Sequence, residues 1–124
     1  MRKRFQLTLT IEDFKLLMKY YFTKGLAVFN RRKLLSELND AHIVSESNLP
    51  LNIARQGSKV LVRNVGKNQT YQVHIVGQGR EPGRSNDILI TDPLSIALLG
   101  YSGGHRTEWE MPDGVQQLEI ISVY

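Results

Sequence analysis

The chain has 124 residues, a formal net charge of +4 and no cysteine. This length suits one compact domain with a small appendage, and the missing thiols exclude a disulfide framework, a thiolate zinc site and a thiol nucleophile. No apolar stretch has the length that a membrane helix needs, and acidic residues interrupt the apolar region that a signal peptide would require, so we expect a cytoplasmic protein.

The positive charge is concentrated in the N-terminal third. Residues 1 to 44 hold nine Lys and Arg against four Asp and Glu, whereas residues 45 to 124 hold seven against eight. This surplus is typical of a surface that steers toward a polyanion or an acidic protein, but a solvated helical face with a basic start explains it equally well. The candidate basic surface comprises Lys24, Arg31, Arg32 and Lys33.

A first amphipathic helix is predicted from about Ile11 to Phe22. Thr10 can cap it, Glu12 and Asp13 favour its first turn, and apolar residues then recur at helical spacing.

A second helix is predicted from about Arg31 to Val44. Gly25 breaks the first pattern, Asn30 can cap the second helix, and His42 belongs to its stripe. The brief connection predicts an antiparallel helical hairpin over residues 1–44. Four apolar residues are expected to meet across it: Phe14, Leu17, Leu34 and Leu38.

The middle of the chain changes from helical to strand patterns. Residues 45–56 are polar and contain Pro50, which predicts a linker. Strands are predicted over Lys59–Asn64 and Tyr71–Val76, with a turn at Gly66–Asn68 between them.

A short capped helix follows an exposed loop at residues 78–86. Ile88–Ile90 is predicted as a short buried strand leading into this helix. Asp92 can accept from the free N–H groups of the first turn, Pro93 suits the first helical position, and Gly100 can end the helix.

A hairpin is predicted to end the chain. Residues 106–111 alternate as in a half-buried strand, Pro112–Gly114 turns the chain, and Leu118–Tyr124 returns. The whole pattern predicts an α+β protein, in which a helical hairpin precedes a small antiparallel sheet that packs one short helix over residues 57–124.

No motif in the sequence supports catalysis or a bound cofactor. Gly77–Gly83 has the wrong spacing for a dinucleotide fingerprint, and no helix opens behind it. Glu108 and Glu110 alternate with Trp109, which predicts a solvated face rather than a catalytic carboxylate pair. The three histidines lack metal-ligand spacing and are assigned to a helix, a strand and a turn: His42, His74 and His105.

The order of residues in the C-terminal half of the chain resembles the C-terminal domain of the bacterial GreA/GreB transcript-cleavage factors, and it is most similar to their short Rnk type. The resemblance runs from about Gly57 to Tyr124. It rests on Val60–Asn64, Tyr71–Val73, Ile90–Leu94, Ala97–Gly100, Glu108–Glu110 and Pro112–Gly114. It implies an FKBP-like fold and docking on the rim of the RNA polymerase secondary channel, through a segment that corresponds to Thr91, Asp92 and Pro93.

Two departures from the family pattern limit what the resemblance implies. Gly103–His105 stands where the family usually carries Val-Gly-Asp, so the role of that acid is in doubt. Gre factors also present metal-holding acids at the tip of a long coiled coil. The predicted helices here are too short for that reach, and the tip, Thr23–Phe29, contains Lys24 and no carboxylate.

The leading hypothesis is therefore a non-enzymatic, cytoplasmic protein that binds RNA polymerase and regulates elongation without transcript cleavage, with no metal, cofactor, membrane or small-molecule substrate. One alternative is an FKBP-like prolyl isomerase, for which Tyr71, Trp109 and Tyr124 would have to line a cleft. Another is a basic nucleic-acid-binding module that uses Arg2, Lys3 and Arg4 with the basic surface.

Overall fold

The computed structural model describes residues 6–77 and 79–124, and it divides the chain into two compact units, Met1–Leu49 and Pro50–Tyr124. The first unit contains β1 (Thr8–Leu9), α1 (Ile11–Tyr21), α2 (Val28–Asn39), β2 (His42–Ile43) and a 3-10 turn (Glu46–Asn48). The second contains β3 (Lys59–Asn64), β4 (Gln69–Val76), β5 (Asp87–Leu89), α3 (Pro93–Leu98), β6 (Arg106–Met111) and β7 (Gly114–Val123). The α+β class is confirmed. Arg2, Lys3 and Arg4 lie outside the described residues.

The first helix follows its sequence signals. The Thr10 hydroxyl accepts a hydrogen bond from the Asp13 N–H at 3.2 Å, which satisfies one free donor of the first turn. The two helices pack against each other. Leu17, Leu34 and Leu38 are buried as predicted, whereas Phe14 is half-buried.

The second helix is displaced toward the N-terminus relative to its prediction. It begins after Ala27, whose carbonyl accepts from the Arg31 N–H at 3.0 Å, and Asn30 is buried inside the helix instead of capping it. It ends at Asn39 because the next residues form β2, which pairs with β1 in parallel. His42 therefore lies on an exposed strand and the helical assignment was wrong.

A five-stranded sheet forms the second unit, in the order β5-β4-β3-β7-β6. All neighbouring pairs are antiparallel except β4 and β5, which run parallel. The predicted turn at residues 66–68 joins β3 to β4, and Asn68 takes a left-handed φ of 49°. Pro112 and Asp113 form the predicted turn between β6 and β7.

The core of the second unit includes side chains of α3 and of the inner sheet face. Trp109 is 1% exposed, and Val60, Val62, Ile75, Leu98, Leu118 and Ile120 are fully buried. Ile53 and Ala54 also belong to this unit, since both are buried and the Ala54 N–H donates to the Tyr101 carbonyl at 2.9 Å. Within the described part of the chain, no helix has the length and apolar character that crossing a bilayer demands.

Candidate docking site

Asp92 is held rigidly at the junction between β5 and α3. Its Oδ1 accepts from the Leu94 N–H at 2.9 Å, which makes Asp92 the N-cap of α3. Its own N–H donates to the Leu89 carbonyl at 2.9 Å, and the Ser95 hydroxyl donates to the same carbonyl at 2.7 Å. Three hydrogen bonds thus fix the backbone and the carboxylate of this junction, and the predicted cap is confirmed.

The residues around Asp92 form an exposed surface. Thr91 and Pro93 are exposed, and Leu89 at the end of β5 is 45% exposed. The structure places β5 at the edge of the sheet, so the prediction of a buried strand was wrong for Leu89, while Ile90 beyond the strand is buried. We call Leu89 and Thr91–Pro93 the β5–α3 surface.

Tyr71 is an aromatic residue of β4 that lies within electrostatic reach of Asp92. Its side chain is half-buried on β4, and burial raises the pKa of the Tyr71 phenol. The nearby Lys67 charge lowers that pKa and the Asp92 charge raises it, which places both charges within electrostatic reach of the phenol. The sequence analysis had considered Tyr71 as a strand residue and as a cleft residue of the alternative prolyl isomerase, but not as part of a docking surface.

The predicted basic surface of the hairpin divides into engaged and exposed cations. The Arg31 guanidinium donates to the carbonyls of Tyr21 and Thr23, the latter at 2.8 Å, and lies 5.4 Å from the centroid of the Tyr21 ring. Arg31 therefore satisfies carbonyl groups at the C-terminal end of α1. Lys33 forms an ion pair with Glu37 at 2.7 Å.

The far end of the hairpin is cationic and apolar. Lys24 and Arg32 are exposed, and Phe22 and Val28 are 69% and 66% exposed. From Phe14 to Ser36 the sequence carries six Lys and Arg and no Asp or Glu. We call residues 14–36 the acid-free end of the hairpin.

No cluster of three or more His, Cys, Asp or Glu side chains that would hold a metal ion occurs among residues 6–77 and 79–124. Glu108 and Glu110 are both exposed, as predicted for a solvated strand face. His105, which stands where the family usually has an acid, accepts or donates a 2.7 Å hydrogen bond with the Ser102 hydroxyl in the turn before β6.

Comparison with known proteins gives concordant matches. The family model described as "Transcription elongation factor, GreA/GreB, C-term" matches residues 50–124. A transcription elongation factor GreA of Clostridium botulinum is 32% identical over 108 residues, covering 85% of this chain and 68% of the relative. A GreA of Clostridium acetobutylicum is 30% identical over 86 residues, covering 69% of this chain and 54% of the relative.

Structural comparison agrees on the fold. A solved GreA/GreB elongation factor from Nitrosomonas europaea superposes with a TM-score of 0.64 at 24% identity, covering 97% of this chain and 98% of that one. In the two Clostridium relatives, by contrast, the matched stretch spans between about half and two thirds of the length of the relative. On the family match and the sequence identity together, the chain belongs to the GreA/GreB family of transcription elongation factors.

Proposed function

We propose that this protein docks on bacterial RNA polymerase at the rim of the secondary channel, through the β5–α3 surface, and regulates elongation without stimulating transcript cleavage. Membership of the GreA/GreB family supports the role in elongation. The correspondence of Thr91, Asp92 and Pro93 with the polymerase-contacting segment of the family supports the location.

The geometry of Asp92 is suited to such a contact. The cap uses Oδ1, and Oδ2 makes no hydrogen bond within residues 6–77 and 79–124. A carboxylate oxygen held in place by a helix cap can accept a hydrogen bond from a partner without losing side-chain entropy on binding. Exposed Leu89 and Pro93 beside it supply apolar area, which is the composition expected at the centre of a small protein interface.

The acid-free end of the hairpin is the observation that carries the second half of the proposal. Transcript cleavage of the Gre type requires carboxylates that hold a metal ion, and a hard cation prefers charged oxygen ligands. Here the hairpin offers Lys24 and apolar side chains at its end. Its helices have 11 and 12 residues, which at about 1.5 Å per residue gives each a length of only ~17 Å.

Binding to polymerase tests the docking half. Asp92→Ser keeps a capping oxygen but removes the carboxylate, so α3 should persist while affinity for core polymerase falls roughly tenfold, the effect of losing about 1.4 kcal/mol. Glu108→Ser is the matched control, because it removes one exposed acid of the same unit from β6, at the opposite edge of the sheet from β5. Equal affinity of Asp92→Ser and the unmodified protein would refute this docking surface.

A cleavage assay tests the other half. A backtracked elongation complex incubated with Mg²⁺ and the purified protein should yield no more cleaved RNA than polymerase alone. In the same assay, the protein should reduce the cleavage stimulated by a Gre factor that competes for the rim, and Asp92→Ser should relieve this competition. Cleavage above background that depends on residues of the hairpin would contradict the proposal.

The two alternatives from the sequence receive less support. A prolyl isomerase needs an accessible aromatic cleft, but Trp109 is 1% exposed in the core and Tyr71 is half-buried. A nucleic-acid module would rely on the exposed cations Lys24 and Arg32, since Arg31 and Lys33 are engaged within the hairpin. Steeply salt-dependent binding to bare DNA or RNA, at an affinity above that for polymerase, would favour that module instead.

A further inference from the structure

A cavity of about 310 Å³ lies at one end of the sheet, apart from the β5–α3 surface. It is lined by Lys59, His74, Arg84, Asn86 and Asp87. Three of these residues form a row across neighbouring strands, because Lys59 on β3 is the register partner of His74 on β4, and His74 is the partner of Asp87 on β5. Arg84 and Asn86 come from the loop that precedes β5.

The single carboxylate of this cavity is fully engaged by the protein. Asp87 Oδ2 accepts from the N–H groups of Gly83 and Arg84 at 2.9 and 3.1 Å, and Oδ1 lies 3.0 Å from His74 Nδ1. The N–H of Gly83 above all, and then the His74 ring, hold the pKa of Asp87 below its ordinary value. An ionised carboxylate can only accept, so the proton of the His74–Asp87 hydrogen bond belongs to Nδ1.

The cations of the cavity lack such partners. Neither Lys59 nor Arg84 forms an ion pair with the residues that the structure describes. Apart from the His74 ring, the lining carries two positive charges and one negative charge, and the negative charge already accepts three hydrogen bonds. The arrangement thus presents two cations and the Asn86 amide to whatever occupies the cavity.

We propose that this cavity binds a small ligand through a phosphate or diphosphate group, with Lys59 and Arg84 as the principal contacts. Phosphate oxygens are the acceptors that an Arg fork and a Lys ammonium match best. A volume of about 310 Å³ lies at the lower end of the range for ligand pockets, which suits a diphosphate rather than an entire nucleotide.

The site differs in kind from a glycine-rich phosphate loop. In such a loop, backbone N–H groups cradle the phosphate. Here the N–H groups of Gly83 and Arg84 already donate to Asp87, so they are not available to a ligand. Recognition therefore depends on side chains, and single substitutions should remove it without disturbing the turn that Asp87 holds.

Titration with inorganic pyrophosphate tests the proposal, with backbone amides followed by ¹H–¹⁵N NMR at constant ionic strength. The unmodified protein should show saturable shifts centred on residues 83–87 and His74. Arg84→Gln and Lys59→Gln should each weaken binding by about threefold to tenfold, as for the loss of a partly exposed charge-assisted contact. Arg80→Gln, which removes an exposed arginine of the same loop that does not line the cavity, should leave the affinity unchanged.

Two results would overturn the proposal. One is a set of chemical-shift changes that grow linearly with pyrophosphate concentration and also occur at other exposed cations such as Lys15, Lys19 and Lys24. Such a result would indicate general accumulation of anions around the positively charged protein. The other is an equal loss of affinity in Arg80→Gln and Arg84→Gln. The experiment contains no polymerase, so its failure would leave the proposed docking function standing.

Discussion

The two units of this protein use charge in opposite ways. In the second unit, residues 50–124 hold seven Lys and Arg and seven Asp and Glu. Many of these are paired across the sheet, with Glu119 between Arg63 and Arg106, Lys67 against Asp113, and His74 against Asp87. In the first unit, the acid-free end of the hairpin leaves Lys24 and Arg32 exposed without a nearby carboxylate in sequence.

This contrast separates structural charge from charge that is available to partners. Exposed ion pairs contribute little stability, and those of the sheet leave that unit close to neutral. The exposed cations Lys24 and Arg32 of the hairpin create a local electrostatic field that favours acidic partners and disfavours a bound metal ion. We therefore expect core substitutions to act within one unit, and substitutions of the paired carboxylates in the sheet to act on the pH dependence of stability.

The largest effect is expected for Leu38→Asp in the hairpin. Leu38 is buried on α2, so aspartate would leave both a void and an unpaired charge. The cost should exceed the about 2–5 kcal/mol of a buried leucine truncation, which is enough to unfold a helical pair of this size. Circular dichroism should lose the helical signal of α1 and α2, while NMR should keep protected amides in β3, β4 and β7.

The matched control is Leu35→Asp, because Leu35 lies on the same helix but is 47% exposed. It should retain helicity. If the amides of the sheet also lost their protection in Leu38→Asp, the expectation that core substitutions act within one unit would be contradicted. Unchanged helicity in Leu38→Asp would contradict the assignment of Leu38 to the core.

A smaller effect is expected for Trp109→Ala in the sheet. Trp109 is 1% exposed on β6, and truncating a buried aromatic side chain costs about 3–5 kcal/mol. Urea unfolding followed by circular dichroism should show this loss, since the substitution removes the only tryptophan and its fluorescence. Glu108→Ala, on the exposed face of the same strand, should change stability by less than about 0.5 kcal/mol. A loss of similar size in both variants would show that Trp109 is not a core residue.

More of the sheet than of the hairpin could be predicted from the sequence, because the ends of its strands are set by local turn residues. In the sheet, turn residues mark the strand ends: Pro112 and Asp113 join β6 to β7, and Asn68 ends the turn before β4. Such signals depend on the local backbone alone. Alternation then assigned Trp109 to the core and Glu108 to solvent correctly.

The second helix of the hairpin ends earlier than predicted, because contacts with a distant part of the chain override the local helical pattern. The apolar stripe of α2 continues through Ala41 and His42, yet the His42 N–H donates to the Leu7 carbonyl at 2.7 Å and the Val44 N–H to the Leu9 carbonyl at 2.9 Å. These bonds belong to the parallel pair β1 and β2. No periodicity within residues 31–44 reveals a partner more than thirty positions away.

In the candidate sites, too, features set by the local sequence could be predicted, whereas features set by the strand order could not. The cap at Asp92 was predictable, because an acid before Pro93 at a helix start is a local signal. The exposure of Leu89 and the charged cavity were not, since both depend on β5 lying parallel to β4 at the sheet edge. Strand order, and therefore the meeting of Lys59 with His74 and Asp87, is a property of the whole fold.

The smallest effect concerns pH, and it distinguishes two kinds of charge within the sheet. The Gly83 N–H and His74 hold the pKa of Asp87 below its ordinary value, and Lys67 followed by Gln116 does the same for Asp113. Because each folded-state pKa lies below the unfolded value, the unfolded chain takes up protons first as the pH falls. Stability from these groups is therefore complete above an unfolded carboxyl pKa of about 4 and is lost as the pH drops through the folded values.

Urea midpoints measured from pH 7 to pH 3 should fall less steeply in the acidic range for Asp87→Asn and for Asp113→Asn than for the unmodified protein. Salt then separates the two. The Lys67–Asp113 pair is exposed on both sides, so roughly 0.5 M NaCl should screen it and remove most of the Asp113 contribution. The Asp87 contribution should persist, because hydrogen bonds from two backbone N–H groups contribute to it and the side chain is mostly buried. If salt removed both contributions equally, the Asp87 turn would be an ordinary surface pair, and the rigid loop required by the proposed phosphate site would lose its physical basis.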